Sequence, residues 1–325
     1  MGFMDENKGA FRGHAAILAS NVVFGINIPV SKLVMPEYVP SFALAFFRTT
    51  GALLFFWTVA LFVKWEKVPL RDLGKLAGAS VFGVLLNQML YVVGLEYASA
   101  VETAIVVTFT PIFTMLLAAL FLREPVSWMK AGGVFLGLCG ALIMIAGKYV
   151  AGGSVAESGK NSVLGILLCL ASGVFYAIYL TAFRHVVARY RPVTVMRWMF
   201  FFSALFSVPF LFRYAAGIDY ASIPSGIYVL LGYVVFMATG LSYLLIPIAQ
   251  KNLRPTVLSV YNYVQPVTAS CLALILGQDT FGWLKGAASV LVFAGVFLVT
   301  RSKSRAQMER EPEAAHRRIR GFRSI

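Results

Sequence analysis

Apolar residues run through this chain in ten long blocks separated by short polar punctuation, and the pattern predicts ten transmembrane helices. The blocks lie near residues 14–34, 40–63, 74–95, 101–122, 128–147, 162–183, 193–212, 224–248, 256–276 and 283–300. A bilayer core about 30 Å thick is crossed by about 20 apolar residues in helical form, close to what each block supplies. The punctuation includes Met35-Pro36-Glu37, Lys64-Trp65-Glu66-Lys67 and Arg123-Glu124-Pro125. A Gly-rich stretch at 151–160 reads as a linker between a first unit, 1–150, and a second, 161–301; residues 302–325 form a basic tail.

Composition agrees with this reading. The chain is 59% hydrophobic and 13% charged with mean hydropathy +0.78, whereas soluble domains carry about 25% charged residues. The net charge of +14 does not point to nucleic acid, because the cations sit in short connections and in the tail. With the N-terminus inside, the inner connections collect Lys64, Lys67, Arg71, Arg123, Lys130, Arg184, Arg189, Arg191, Lys251 and Arg254. The outer ones hold only Lys148, Lys160, Arg213 and Lys285. That bias places both termini in the cytoplasm of a bacterial cell and the chain in its inner membrane. The first block reads as a retained span, since residues 1–13 contain acids and no convincing signal-peptidase site follows the block. Cys139, Cys169 and Cys271 fall inside apolar runs and read as small core side chains, not as a disulfide framework.

The two units repeat one another. A shift of 155 positions superposes Pro111 on Pro266, Glu124 on Asp279, Trp128 on Trp283, Lys130 on Lys285 and Gly140 on Gly295. A shift of 152 superposes Leu18-Ala19-Ser20 on Leu170-Ala171-Ser172, and Arg48 and Arg197 hold similar places in the second and seventh blocks. Five spans per copy is an odd number, so the second copy crosses the membrane in the opposite sense. Inverted repeats of this kind build carriers, because two inverted copies exchange conformations around a central site.

The motifs resemble those of the EamA-type drug/metabolite transporters. Phe24-Gly25-Ile26-Asn27-Ile28 with Lys32 is similar to that family's first-helix signature, and Phe47-Arg48 to its second helix. The run from Gly94-Leu95-Glu96-Tyr97-Ala98 through Pro111 to Phe121-Leu122-Arg123-Glu124 looks like its third and fourth helices. The second unit repeats that run from Gln250 through Pro266 to Gly277-Gln278-Asp279. Phe24 stands where the family often has Trp, and Asp279 where Glu is commoner. The resemblance implies ten helices, a central cavity, and export or exchange of metabolites such as amino acids, sugars or amphipathic compounds.

Polar groups within hydrocarbon belong on a cavity or a helix neighbour. At helical spacing the candidates are Asn27 and Ser31; Asn87 and Tyr91; Thr110; Tyr176 and Tyr179; Tyr243; and Asn262, Tyr263 and Gln265. Pro111 and Pro266 each remove a backbone N–H and free a carbonyl, at Val107 and Asn262, in repeat-related helices. Arg48 lies about 12 Å along its helix and reads as a structural or gating cation, with an anionic substrate group as the other reading. Arg197, shallower, is expected to snorkel to the inner surface. Glu124 and Asp279 read as cap or gate pairs at opposite faces. The histidines are too far apart to share a metal, no phosphate-binding loop is present, and no acid sits mid-span. The expectation is a secondary carrier, monomer or homodimer, with a small-molecule substrate, a lipid bilayer around it and no nucleic acid, metal or cofactor. The other reading is a non-transporting receptor or scaffold on a duplicated carrier fold.

Overall fold

A computed structural model describes residues 2–98, 103, 106–150, 162–275 and 283–302, and among the described residues every regular element is helical. The long segments are α1 (Gly2–Val34), α2 (Ser41–Leu61), α3 (Leu70–Tyr97), α4 (Thr110–Leu122) and α5 (Trp128–Val150). The second unit contributes α6 (Ser162–Ala182), α7 (Pro192–Ala216), α8 (Ser225–Asn252), α9 (Pro255–Val260, Tyr261–Tyr263 and Val264–Ile275) and α10 (Trp283–Arg301). A short helix, Arg184–Arg189, and a 3₁₀ turn, Tyr220–Ser222, join their neighbours. The stretch 151–160, Asp279 and the tail from 303 lie outside the described residues.

Six segments, in α1, α2, α3, α6, α7 and α8, are long and apolar enough to cross a membrane, and shorter apolar helices accompany them in α4, α5 and α10. Leu54, Leu120, Phe210 and Val290 point outward and are exposed, as suits a surface wetted by lipid. The chain is a multi-pass helical membrane protein.

Hydrocarbon solvates Leu as well as Leu does, so helices in lipid associate through close packing and hydrogen bonds. Here the principal interfaces join one unit to the other: α5 with α10, α2 with α7, α6 with α3 and α4, α1 with α8 and α9. They recur under the sequence shift. A Cβ on Gly140 would lie 2.7 Å from the Ala288 carbonyl oxygen, and one on Gly295 would lie 2.6 Å from that of Gly133. Residues 140 and 295, like 133 and 288, are 155 apart. Ser172 Oγ donates to the Asn87 carbonyl at 2.7 Å; its counterpart Ser20 Oγ donates to the Ser242 carbonyl at 3.4 Å.

Four helices are irregular, again in matched places. α3 carries a π-helical segment at Val81–Leu86, and α8 one at Tyr233–Leu241. α4 is broken by a turn at Thr108–Phe109 just before Pro111, and α9 tightens into a 3₁₀ turn at Tyr261–Tyr263 just before Pro266. A proline cannot donate to the carbonyl four residues back and its ring presses on that turn, which accounts for both breaks.

One end of the bundle gathers the basic connections and is tied by polar contacts. Asp72 accepts from Arg189 at 2.6 Å and from the Tyr190 hydroxyl at 2.5 Å. Lys130 donates to Glu124 at 2.7 Å, and Thr256 of α9 donates to the same carboxylate oxygen at 3.2 Å. Arg123, in the left-handed region at φ 50°, closes α4 so that the Glu124 N–H bonds back to the Ala118 carbonyl. At the far end Lys32 donates to the Ala98 carbonyl at 2.7 Å, and Glu96 accepts from the Ser41 N–H at 3.3 Å.

Candidate functional site

Between the units lies a cavity of about 90 Å³, with walls from α1, α2, α3, α4, α6, α8 and α9. Its lining falls largely into pairs related by the repeat: Phe24 with Tyr176, Gln88 with Tyr243, Tyr91 with Ile246, Val107 with Asn262, and Thr110 with Gln265. The cavity therefore draws on matched positions of both sequence repeats. Five further lining residues have no partner on the wall: Arg48, Asn87, Cys169, Ser172 and Gly173. Their counterparts are engaged elsewhere. Ser20 and Ser242 bond each other, and Asn21 Oδ1 accepts from Gln265 Nε2 at 2.8 Å. Arg197 is enclosed by indoles, its guanidinium carbon 3.8 Å from the Trp65 ring centroid, with Trp57 and Trp198 beside it. The lining is thus asymmetric between the repeats.

The helix irregularities shape the walls. In a 3₁₀ turn, side chains three apart eclipse, which stacks Asn262 and Gln265 on one wall and turns Tyr263 away. On α3, the π segment ends at Leu86 and delivers Asn87, Gln88 and Tyr91 together to the cavity. Asn87 Nδ2 donates to Ser172 at 3.0 Å, and its Oδ1 faces the Tyr243 hydroxyl at 3.4 Å.

Of the residues expected from sequence, Asn87, Tyr91, Thr110, Tyr176, Tyr243, Asn262 and Gln265 meet on this wall with Arg48. Asn27 and Ser31 stand behind it: Ser31 donates to Asn27 Oδ1 at 3.2 Å, and the Asn27 side chain bonds Tyr91. Tyr179 and Tyr263 lie elsewhere. The Tyr179 hydroxyl donates to Gln250 Oε1 at 3.0 Å; that of Tyr263 donates to the Val134 carbonyl at 3.0 Å, its ring filling the space opened by Gly137. Pro111 and Pro266 sit one residue beyond the wall positions Thr110 and Gln265. Glu124 belongs to the basic end, not to the cavity. Arg197 is 2% exposed and does not snorkel, because Trp65 folds over it.

Phe24, Gln88, Cys169 and Ile246 were not among the expected wall residues. The signal for three of them was in the sequence: Phe24, Gln88 and Ile246 are the repeat partners of Tyr176, Tyr243 and Tyr91. Cys169 has no such partner on the wall.

The cavity is amphipathic, and its chemistry centres on one cation. Arg48 is 3% exposed, and its Nε and Nη1 find no hydrogen-bond partner among the described residues. Gln88, also 3% exposed, leaves both Nε2 and Oε1 unsatisfied. Among the described residues, no Asp or Glu lines the space. Outside the spans, hydrogen bonding to Asp72 raises the Arg189 pKa, and burial followed by Asp72 raises that of Tyr190. Both shifts favour an intact contact near neutral pH.

Comparison with known proteins agrees with this architecture. YetK of Bacillus subtilis, named an uncharacterized transporter, is 24% identical over 92% of this chain and 88% of its own. A WAT1-related protein of Arabidopsis thaliana is 24% identical over 91% of this chain and 92% of its own. A probable terminal-alkyne amino-acid exporter of Streptantibioticus cattleyicolor is 24% identical over 71% of this chain and 74% of its own. A solved crystal structure superposes with a TM-score of 0.71 at 18% identity, covering 90% of this chain and 96% of that one, and shares the fold. The EamA-like transporter family matches twice, over residues 11–146 and again over 163–301. The chain belongs to the EamA-like transporter family.

Proposed function

We propose that this protein is a secondary carrier that moves a small metabolite across a bacterial inner membrane by alternating access, as export or facilitated exchange. The observation that carries the reading is the cavity between the units, walled by repeat-related pairs together with residues whose counterparts in the other repeat are not on the wall. Ten spans, with 1–150 and 161–301 as inverted five-helix repeats and both termini cytoplasmic, are the topology that goes with it. The reciprocal contacts at Gly140 and Gly295 and the double family match support that topology. In it the basic end faces the cytoplasm, the cavity tends toward the outside, and the opposite state opens by exchange between the units. A relative named as a probable amino-acid exporter supports an amphipathic metabolite as cargo. The sequence has no nucleotide-binding loop, which sets direct ATP drive aside, and no acid mid-span to relay protons, so facilitated diffusion or exchange is the mode of transport proposed.

Two-sided thiol labelling tests this. Cys169 lies on the wall, whereas Asn21 is buried off it, its side chain bonded to Gln265. In proteoliposomes of fixed orientation, with Cys139 and Cys271 replaced by Ala, Cys169 is expected to react with an impermeant methanethiosulfonate added outside. A second protein with Asn21→Cys and Cys169→Ala is expected to react only from inside. Each reaction should arrest exchange. Reaction of both sites from one face would indicate a channel, and reaction of neither would remove the carrier.

A further inference from the structure

We infer that the substrate carries a carboxylate-type anionic group, and that Arg48 with Gln88 is its anchor. The inference rests on the carrier reading for its biological meaning, though not for the binding itself. The two arginines at similar positions in the units make the case by contrast. Arg197, whose Nε is also unpartnered among the described residues, has three indole faces around its guanidinium and a hydrogen bond from Nη2 to the Glu66 carbonyl at 3.1 Å. Arg48 has none of this. It is buried to the same degree, on a cavity wall, with Nε and Nη1 unpartnered among the described residues. The Nε–H and the Nη1 hydrogens point from different edges of the guanidinium, so each is a separate donor open to an anionic oxygen.

A buried cation with two of its nitrogens unpartnered is costly, because nothing in the low-dielectric surroundings replaces the water those N–H groups lose. Proteins hold such a group where a ligand completes it. Gln88 strengthens the assignment, since a buried amide with both ends unsatisfied beside it has a free N–H to donate and a carbonyl to accept. With no acid on the wall among the described residues, an anion entering the cavity neutralises Arg48 instead of meeting repulsion, so the loaded cavity is closer to neutral than the empty one. Phe24 and Tyr176, the repeat-related aromatic pair, offer apolar surface to the remainder of the molecule.

Thermal unfolding of the purified full-length protein, followed by aromatic fluorescence, is the test. The probes are propionate, hexanoate and phenylacetate, each beside its neutral amide and the amine of equal length. The carboxylates should bind at least ten-fold tighter than their amides, about 1.4 kcal/mol, and the amines should not bind. Arg48→Gln should abolish the difference while leaving the ligand-free midpoint unchanged or raised, since it removes an unpaired buried charge. Arg197→Gln, in the caged position, should lower the midpoint and retain the preference for carboxylates if it folds. Equal binding of amides and carboxylates, no carboxylate binding, or a preference that survives Arg48→Gln would each overturn the anchor. The two readings fail separately. Alternating labelling at Cys169 and Asn21→Cys without anion preference leaves the carrier and removes the anchor; anion preference without alternation does the reverse.

Discussion

The Lys130–Glu124 pair allows a quantitative test of how the basic end is held together. Both side chains are buried, at 1% and 7% exposure, and Nζ stands 2.7 Å from Oε2. Thr256 donates to the same oxygen, while Oε1 has no partner among the described residues. Replacing Lys130 with Met leaves a buried carboxylate supported by one hydroxyl. Breaking a buried pair in this way costs about 3–5 kcal/mol. Arg254 lies near enough to Glu124 to offset part of that charge, which places the loss near the lower limit, about 3 kcal/mol. Glu124→Gln should cost a similar amount, because it leaves the ammonium unpaired. The double variant Glu124→Gln/Lys130→Met contains no buried charge at this position and should fall within about 1 kcal/mol of the parent. The coupling, read from reversible unfolding of all four proteins in mixed micelles, is then several kcal/mol. A loss below about 1 kcal/mol for Lys130→Met, or a double variant as unstable as the two singles added together, would refute the reasoning.

Further outcomes follow from the packing and the wall. Gly295→Val places a side chain where the Gly133 carbonyl oxygen is 2.6 Å away; α5 and α10 must part, and detergent-solubilised yield and unfolding midpoint should fall by the equivalent of about 1–3 kcal/mol or more. Tyr263→Phe removes one hydrogen bond behind the cavity and should cost about 1 kcal/mol of stability with exchange intact, whereas Tyr176→Ala on the wall should alter substrate selection more than the unfolding midpoint. Arg123→Gly relieves a left-handed residue that carries a Cβ and should stabilise the protein by about 0.5–1 kcal/mol, measured by the same unfolding assay; a loss would show that the Arg123 side chain contributes a contact of its own.

The helices were legible because hydropathy and bilayer thickness are one constraint written twice. The expected block 40–63 appears as Ser41–Leu61, and 74–95 as Leu70–Tyr97. The short helix Arg184–Arg189 was not legible, being too brief to carry a period of its own. Which tyrosine meets the cavity was only partly legible. A uniform 3.6-residue period places Tyr263 on the stripe with Ser259, but the 3₁₀ turn at Tyr261–Tyr263 winds more tightly and substitutes Asn262 and Gln265. The prolines foretold a disturbance in α4 and α9; the π segments of α3 and α8 have no comparable marker. Arg48 and Arg197 look alike in sequence and differ in fact because Trp57, Trp65 and Trp198 converge on one of them only in three dimensions. The repeat itself held more than was drawn from it, since projecting Tyr91, Tyr176 and Tyr243 through the shift lands on Ile246, Phe24 and Gln88.

Those paired wall positions also bear on why the two units share one chain. A dimer of identical five-helix polypeptides would present every wall residue twice, and a molecule lying across the axis would have two equivalent poses. Here the members of each pair differ chemically: an amide faces a phenol at Gln88 and Tyr243, a phenol faces an alkyl group at Tyr91 and Ile246, and an alkyl group faces an amide at Val107 and Asn262. Fusion frees each member to mutate without its twin. Under the carrier proposed above, the backbone would keep the symmetry that lets the halves trade places, while the side chains would give the passenger a head and a tail.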